Sequence, residues 1–262
     1  MSVAEAFAAA VSAAGLRHFT HVEHHVATPS TNEIAQRLLG QAAAAGRVIV
    51  ADEQTAGRGR RGRQWIAPPR SGLLFTAILP RALRASDAWA VTFWAGTRVA
   101  KALERWKVAP ALQWPNDLLI GGRKICGILC VSRIAGERAW VACGVGVNVH
   151  RPENRPDLDA IVPPPIFLDD CAVASSHARA ELLVAILSEF EDALASLHEP
   201  QRVVREWESA AGLPGTRYRF SFDDGTRVEG EALHLSSSGG LVIRTHTGRH
   251  VIDLAAEVRV LR

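Results

Sequence analysis

A glycine- and arginine-rich segment between two apolar stretches constrains this chain more than any other feature of its sequence. The segment reads Gly57-Arg58-Gly59-Arg60-Arg61-Gly62-Arg63. Apolar residues at 48–51 and 72–79 predict a β-strand on each side of it, so the segment is expected to be a loop that joins two strands. Glycine lets a backbone approach a ligand closely, and the arginine side chain binds a carboxylate or a phosphate through two atoms at once.

This Arg-Gly loop also supplies the net positive charge of the chain. The sequence has 30 Lys and Arg residues against 27 Asp and Glu residues. Five arginines and no acidic residue lie from Gln54 to Arg70, and the rest of the chain carries 25 basic against 27 acidic residues. A positive field this local suits a small anionic ligand better than a long polyanion.

Other interpretations of the loop are weaker. Its glycines have the spacing of a dinucleotide-binding fingerprint, but Pro68 and Pro69 follow where a helix should open, and Ala82 and Leu83 stand where an acidic residue is expected. A phosphate-binding P-loop would need Gly-Lys-Ser/Thr, which the segment lacks. RNA-binding Arg-Gly segments are usually longer and disordered. An RNA-binding loop and a solvated basic loop stay open as alternatives.

Composition predicts a folded protein of a reducing compartment. A length of 262 residues with 48% hydrophobic residues fits one large domain, or a large and a small one. No run of 18 apolar residues predicts a membrane span. The first 15 residues contain Glu5 and no basic cluster, so they read as an amphipathic helix and not as a signal peptide. Cys126, Cys130, Cys143 and Cys171 form no C-x-x-C pair, and we expect a cytoplasmic protein.

Hydrophobic periodicity predicts mixed helices and strands up to residue 211. Helices are expected at 2–14, from residue 30, and at 86–106, 177–197 and 201–211; strands are expected at 18–26, 48–51, 72–79, 118–120, 124–131 and 139–149. Ser30 and Glu33 have the spacing of a helix capping box. Residues 151–176 are polar and rich in proline, which predicts a long surface loop.

Three histidines in the first predicted strand, His21, His24 and His25, invite a metal-site interpretation. Glu23 is the one acid nearby, and no cysteine accompanies them with ligand spacing. A structural role is therefore favoured.

The pattern of apolar and turn residues changes from residue 213. Short alternating segments are separated by turn residues at 223–225, 237–240 and 247–248. This density of strands and turns predicts a small β-barrel. We therefore expect two domains, at residues 1–212 and 213–262.

Several polar groups besides the Arg-Gly loop stand at the ends of predicted elements, where ligands usually bind. They are Ser30-Thr31-Asn32, Gln54, Trp114-Pro115-Asn116-Asp117, Lys124 and Asn148. Each alone is explained as a helix cap, a turn or a strand-edge charge. Their occurrence together, in this order, favours a binding site.

Four of these segments resemble the biotin protein ligases, also called biotin–acetyl-CoA-carboxylase ligases. The segments are 52–63, the Trp-Pro-Asn-Asp turn at 114–117, Arg123-Lys124-Ile125-Cys126-Gly127-Ile128-Leu129, and Gly144-Val145-Gly146-Val147-Asn148. The resemblance covers residues 26–150 by motifs and extends more loosely to the C-terminal region.

The resemblance implies an α+β fold and a two-step reaction. A mixed β-sheet flanked by helices, as in class II aminoacyl-tRNA synthetases and lipoate ligases, would be followed by an SH3-like barrel. Biotin and ATP would form biotinyl-5′-AMP with the help of Mg²⁺, and a lysine of a biotin carboxyl carrier domain would then accept the biotinyl group.

The resemblance also implies roles for individual residues. Catalytic roles fall to Arg58, Arg60, Asp117 and Lys124, and biotin binding to Ser30, Thr31, Asn32, Gln54, Gly57, Arg58, Lys124, Gly127, Leu129 and Gly144. ATP or AMP binding falls to Arg60, Arg63, Trp65, Gln113, Asn116, Asp117 and Asn148, and Asp117 is the candidate Mg²⁺ ligand.

Two departures from the family qualify this expectation. Gln113 stands where lysine usually precedes the Trp-Pro-Asn-Asp turn, which removes a positive charge near the phosphates. A lipoate or other acyl ligase, or a weakly catalytic biotin or nucleotide binder, is therefore retained as an alternative. About 25 residues precede the catalytic region, too few for a helix-turn-helix domain, so no DNA binding is expected. The sequence leaves a monomer and a homodimer equally open.

Overall fold

The computed structural model describes residues 2–153, 158, 161–171, 175, 177–253 and 257–261. The helices are α1 (Val3–Ala13), α2 (Thr31–Leu38), α3 (Ala90–Leu103), α4 (Leu168–Cys171), α5 (Ala178–Ala193) and α6 (Pro200–Ala211). The first eight strands are β1 (His21–Thr28), β2 (Arg47–Gln54), β3 (Gly72–Ile78), β4 (Leu83–Arg84), β5 (Ala111–Gln113), β6 (Asp117–Ile120), β7 (Arg123–Ala135) and β8 (Arg138–Asn148). The last five are β9 (Arg217–Ser221), β10 (Arg227–Leu235), β11 (Leu241–Thr245), β12 (Gly248–Ile252) and β13 (Glu257–Leu261).

Strands β1 to β8 form one mixed sheet. Its order is β1-β2-β3-β8-β7-β6-β5, and β4 pairs with β8 outside this path. Strands β1 and β2 run parallel, whereas the other neighbouring pairs are antiparallel. The predicted α+β fold with a mixed sheet and flanking helices is confirmed.

Strand β8 shows why the sheet has two different faces. Side chains alternate along a strand, and Val145 and Val147 belong to the main core with residues of α3 and α5. The core includes Trp94 and Phe190, whose ring centroids are 4.6 Å apart. Burial of each such side chain contributes about 2 kcal/mol. The glycines of β8 lie on the opposite face, which they leave open for a site.

Several predicted elements differ in extent from the expectation. Strand β1 begins three residues later than the strand expected at 18–26, and β2 and β7 continue three and four residues beyond the strands expected at 48–51 and 124–131. A helix and a loop differ as well. The helix expected at 86–106 is α-helical only at Ala90–Leu103, with short 3₁₀ turns at 85–87 and 104–106. Lys107 ends it in the left-handed conformation with φ 58°. The loop expected at 151–176 contains α4, and its described residues Phe167 and Leu168 are buried, so the expected surface position is wrong for that part. Ser176 lies outside the described residues.

The capping box expected at Ser30 is not formed. Ser30 is the N-cap of α2, but its side chain makes no cap hydrogen bond. Glu33 is instead within ion-pair distance of Arg58. The carboxylate that would have capped the helix therefore faces the Arg-Gly loop.

Strands β9 to β13 form a second, antiparallel sheet. Its order is β12-β11-β10-β9-β13, so β12 and β13 are its edges in the part of the chain that the structure describes. The segment between them, 254–256, lies outside that part. A second sheet is present as expected, but its described strands do not close into a barrel.

The second sheet packs against the turn between β5 and β6 of the first. The Trp114 indole donates a hydrogen bond to Gly239 O over 3.1 Å. Its ring also meets the edge of Phe220, with centroids 6.1 Å apart. Trp114 is buried at 2% exposure, so it connects the two sheets through contacts in the interior of the protein.

Across the described ranges, no helix is both long and apolar enough to cross a membrane. Cys126 and Cys143 are buried, Cys130 is half-buried and Cys171 is exposed, all as free thiols. The three cysteines in strands thus behave as the small, largely buried residues that their apolar surroundings predicted.

Candidate active site

A cleft lies along β8 on the face of the sheet that α2 contacts. Gly144, Gly146 and Asn148 line it, because residues two apart on a strand share a face. Gly144 pairs with Leu129, and Gly146 with Gly127, on the neighbouring strand β7. From Gly144 to Asn148 the strand rises about 13 Å, so the cleft can hold an elongated ligand beneath the Arg-Gly loop.

The structure gathers in this cleft every site residue expected from the sequence except Gly57. Those that line it are Ser30, Thr31, Asn32, Gln54, Arg58, Arg60, Arg63, Trp65, Gln113, Asn116, Asp117, Lys124, Gly127, Leu129, Gly144 and Asn148. Gly57 is buried at the base of the loop, where an added Cβ would lie 2.6 Å from Trp65 O. It shapes the loop and does not line the cleft.

One end of the cleft is an uncharged hydrogen-bond network. Gln54 Oε1 accepts from Thr31 N at 2.8 Å and from the Thr31 hydroxyl at 3.0 Å. Thr76 Oγ1 lies 2.8 Å from both Thr31 Oγ1 and Asn32 Oδ1. The Asn32 amide donates to Leu129 O over 3.0 Å. These contacts join α2 to β2, β3 and β7, and they fix the orientation of each polar group.

Gly144 provides the space that this network needs. A Cβ added at Gly144 would stand 2.3 Å from Asn32 Oδ1, which is inside van der Waals contact. Only glycine therefore lets the Asn32 side chain reach across β8 to Leu129. In this structure the Asn32 side chain fills the space next to Gly144.

The other end of the cleft is charged. Lys124 Nζ lies 2.6 Å from Asp117 Oδ1, and Asn148 donates its amide to Lys124 O over 2.9 Å. Burial lowers the pKa of the Arg60 guanidinium, while the charge of Asp117 opposes that shift and the charge of Arg61 adds to it. Arg60 thus lies near Asp117, in a partly dry site where a fixed charge acts strongly.

The other loop arginines point in different directions. Arg58 pairs with Glu33 at the start of α2, and Arg61 pairs with Asp223 in the turn between β9 and β10. Arg63 lies exposed at the rim. Although the loop is uniformly rich in arginine, its arginine side chains thus lie in different places: in the cleft, beside α2 and beside the second sheet.

Trp65 forms a wall of the cleft directly after the loop. Its indole would lie 2.9 Å and 2.7 Å from Cβ atoms added at Gly127 and Gly146, so both positions must lack a side chain. Lys124 Nζ is 5.5 Å from the centroid of the ring. The indole Nε1 is buried and has no hydrogen-bond partner among the described residues, which leaves a donor available to a ligand.

The turn after β5 brings two further amides to the site. Gln113 is buried at 7% exposure and donates to Val258 O of β13 over 3.3 Å. Asn116 donates to Ile128 O over 2.7 Å. The bond between Trp114 and Pro115 is cis. Both amides thus have backbone partners in this structure, and both side chains line the cleft.

The structure adds residues that sequence reasoning missed. Thr76 joins the uncharged network from β3, and Phe167 with Val162 forms an apolar wall. Glu257 of β13 lines the charged end. Thr76 lies in a run of apolar residues with no local signal of function. Its role depends on its register opposite Gly144, which the sequence does not encode locally.

Two of the three histidines of β1, His24 and His25, have acidic side chains beside them. His24 Nε2 lies 3.2 Å from Asp52 Oδ1, and His25 Nε2 lies 2.9 Å from Glu23 Oε1. No group of three or more His, Cys, Asp or Glu side chains suited to a metal occurs within the described ranges. These pairs agree with the structural role favoured from the sequence.

Comparisons with known proteins agree with this geometry. Residues 26–148 match the Biotin/lipoate A/B protein ligase family. The bifunctional ligase/repressor BirA of Bacillus subtilis is 30% identical over 241 residues, covering 87% of this chain and 70% of that protein. The biotin–[acetyl-CoA-carboxylase] ligase of Paracoccus denitrificans is 31% identical over 262 residues, covering 88% of this chain and 97% of that protein.

A solved structure shares both the fold and part of the sequence. The biotin protein ligase from Aquifex aeolicus in complex with biotin and ATP matches with a TM-score of 0.73 and 25% identity, covering 93% of this chain and 100% of that one. Sequence relatives, fold and the arrangement of the cleft agree, and this chain belongs to the Biotin/lipoate A/B protein ligase family, among its biotin protein ligases.

Proposed function

We propose that this protein activates biotin with ATP and transfers the biotinyl group to a lysine of a biotin carboxyl carrier domain. One observation supports this most directly. An uncharged hydrogen-bond network and a cluster of cationic side chains line the same cleft, separated by about four residues of strand β8. Biotin has a neutral ureido head and a carboxylate tail, and this order of groups matches the two ends.

The uncharged end suits the ureido head of biotin. The ureido group has both hydrogen-bond donors and acceptors, and Thr31, Asn32 and Gln54 offer hydroxyl and amide groups held by one another. Because their mutual bonds limit rotation, little side-chain entropy is lost on binding. Phe167 and Val162 supply apolar contact for the rest of the ligand.

The charged end suits the joining of a carboxylate to a phosphate. Both reactants are anions, and fixed cations in a partly dry site offset their repulsion. Lys124 Nζ lies 2.6 Å from Asp117 Oδ1, and Arg60 is near enough for the charge of Asp117 to act on its guanidinium. In the first step, a carboxylate oxygen of biotin attacks the α-phosphorus of ATP, and pyrophosphate leaves. In the second step, the neutral lysine amine attacks the acyl carbon, AMP leaves, and the amine loses a proton.

The donor set near Asp117 fits Mg²⁺. Magnesium prefers oxygen ligands, and one or two carboxylates plus substrate phosphates usually hold it. Asp117 Oδ1 is buried and lies next to Lys124 Nζ without the geometry of a hydrogen bond, so it can exchange that partner. Asp117 would be the protein ligand, and the ion would neutralise phosphate charge.

We also propose the finer points of organisation. Residues 1–212 would form the catalytic domain, and residues 213–262, with their five-stranded sheet, an SH3-like domain. A cytoplasmic location and a monomer or homodimer are proposed from the sequence alone.

The proposal is tested by mass spectrometry of a carrier domain incubated with the protein, biotin and MgATP. We expect one biotinyl mass increment on the carrier, and biotin-dependent release of pyrophosphate. Substituting Lys124→Ala should lower the rate of that release about 100-fold, because it removes a charge that meets the developing anion. The control is Lys101→Ala, because the ion pair of Lys101 with Glu189 joins helices α3 and α5 and Lys101 does not line the cleft in the described residues.

Two results would count against the proposal. Lipoate that displaces biotin and is transferred in its place would favour another acyl ligase of the family. Unchanged pyrophosphate release in both Lys124→Ala and Arg58→Ala would show that the reacting groups lie elsewhere.

A further inference from the structure

An ion pair connects the Arg-Gly loop to the second sheet. Arg61 pairs with Asp223, which lies in the turn between β9 and β10. The side chain of Asp223 is 68% exposed, and Asp223 is not among the described residues that line the cleft. Arg61, which does line the cleft, is thus the residue through which Asp223 contacts the Arg-Gly loop.

The backbone at Arg61 needs such a contact. Arg61 has φ 57° and ψ 34°, a left-handed conformation that residues other than glycine rarely adopt without support from their surroundings. The preceding residue, Arg60, is the loop arginine that lies near Asp117. A change of the chain direction at Arg61 thus sends two neighbouring guanidinium groups to different places.

The second sheet is a firm anchor for this pair. It is attached to the first sheet by the hydrogen bond from Trp114 to Gly239 and by the bond from Gln113 to Val258. The turn that carries Asp223 is itself held, because Asp224 accepts a hydrogen bond from Thr226 N over 2.8 Å. Asp223 is therefore presented from the second sheet, which is attached to the first sheet independently of the Arg-Gly loop.

We propose that Asp223 is a positioning residue that holds the Arg-Gly loop closed over the cleft through Arg61. The inference rests on the proposed function and extends it to retention of the reactive intermediate. With Arg61 held, Arg60 stays directed toward Asp117 and the loop covers biotinyl-5′-AMP. Without Asp223 the loop opens more often, and the intermediate escapes before the carrier lysine arrives.

A role in loop closure differs in its measurable effects from a role in folding. An exposed ion pair contributes little to the stability of a folded protein. The substitution Asp223→Asn should therefore leave the melting temperature unchanged. Release of preformed biotinyl-5′-AMP should become about threefold to fivefold faster, the largest effect expected of such a pair.

The test follows release of radiolabelled biotinyl-5′-AMP from the full chain during a chase with unlabelled biotin and ATP. The matched control is Asp224→Asn, which removes the same charge from the next residue and keeps an oxygen for Thr226. A double variant that carries both Arg61→Asp and Asp223→Arg reverses the two charges and keeps their attraction. It should release biotinyl-5′-AMP more slowly than either single variant.

The outcomes separate the inference from the proposed function. If the unmodified protein forms no biotinyl-5′-AMP, the proposed function fails. If it forms the intermediate but Asp223→Asn releases it at the unmodified rate, or no faster than Asp224→Asn does, the positioning role is wrong. Failure of the double variant to slow release would also overturn the role, because the pair would then not act through mutual attraction.

Discussion

At the scale of single residues, the site depends on glycines as much as on polar groups. Gly144 leaves room for Asn32, and Gly127 with Gly146 leaves room for Trp65. The sequence motif predicted that these positions matter. The structure supplies the reason at Gly144, where a neighbouring side chain occupies the space that a methyl group would need.

We expect Gly144→Ala to weaken biotin binding. The new methyl group would displace Asn32, which would lose its hydrogen bond to Leu129 O and its contact with Thr76. Loss of one or two such bonds costs about 1–2 kcal/mol, so the KM for biotin should rise roughly tenfold, as steady-state adenylation assays would measure.

A second glycine provides the control for that experiment. A Cβ added at Gly96 of α3 would lie 3.5 Å from Leu112 Cδ2, an ordinary contact, and alanine favours a helix. Gly96→Ala should therefore leave the KM for biotin unchanged. An equal KM in Gly144→Ala and the unmodified protein would contradict the assigned role of the Asn32 network.

At the scale of elements, a buried cluster fixes the base of the Arg-Gly loop. Asp52 at the end of β2 is 2% exposed. Its carboxylate contacts Arg179 of α5 at 2.7 Å and His24 of β1 at 3.2 Å. Its carbonyl oxygen accepts from Arg70 N at 2.9 Å, and Arg70 Nε lies 3.6 Å from its carboxylate. The two ends of the loop are thereby held together.

The Asp52 cluster should contribute stability that is lost in acid. Burial by itself raises the pKa of Asp52, but the hydrogen bonds and charges of Arg179 and His24 outweigh burial and lower it. A carboxylate with a lowered folded-state pKa stabilises the fold above its unfolded pKa of about 3.9. That contribution disappears as the pH falls through the folded-state pKa.

Substituting Asp52→Asn should show this effect. Leaving the buried Arg179 without its carboxylate is expected to cost about 3 kcal/mol at neutral pH. Urea unfolding as a function of pH should show this difference shrinking below about pH 4. The neighbouring, less buried Glu53 serves as the control in Glu53→Gln. A difference from the unmodified protein that stays constant down to the lowest pH would contradict the linkage.

The elements themselves were largely predictable, and the exceptions have physical reasons. Helix α6 and strands β7 and β8 follow from periodicity and turn residues alone. The capping box at Ser30 failed because the Glu33 carboxylate is beside a guanidinium, Arg58, that is close only in the folded chain. Ion pairs between distant segments override local pairing rules in this way.

At the scale of the whole molecule, the second sheet takes part in the cleft. Gln113 of β5 donates to Val258 of β13, and Glu257 of the same strand lines the cleft. The residue that departs from the family pattern is thus one of the connections between the two sheets. Its neutral amide has a partner here that does not depend on charge.

We expect Gln113→Lys to raise or preserve the rate of biotin adenylation. A lysine would add a positive charge near the phosphates, and its ammonium group can still donate to Val258 O. The added charge is expected to lower the activation free energy of adenylation by about 1–3 kcal/mol at most. Pyrophosphate exchange that depends on biotin would measure the rate.

A large loss of adenylation in this variant would show that Gln113 has its own role. Gln113→Met, which keeps the length of the side chain without a donor, separates that role from the effect of charge. If Gln113→Met loses activity and Gln113→Lys keeps it, the bond to Val258 is required. If both variants lose activity, the amide group itself is required.

The sequence by itself determined the family, the mixed fold and many of the polar and charged residues that line the cleft, because motifs such as the Arg-Gly loop encode their chemistry in adjacent residues. Tertiary structure alone decided which groups meet. Thr76 opposite Gly144, Arg61 beside Asp223 and Phe167 in the wall come from segments far apart in the chain. Their contacts depend on strand register and on packing between sheets, and these are set by the burial of the whole core and not by any local pattern.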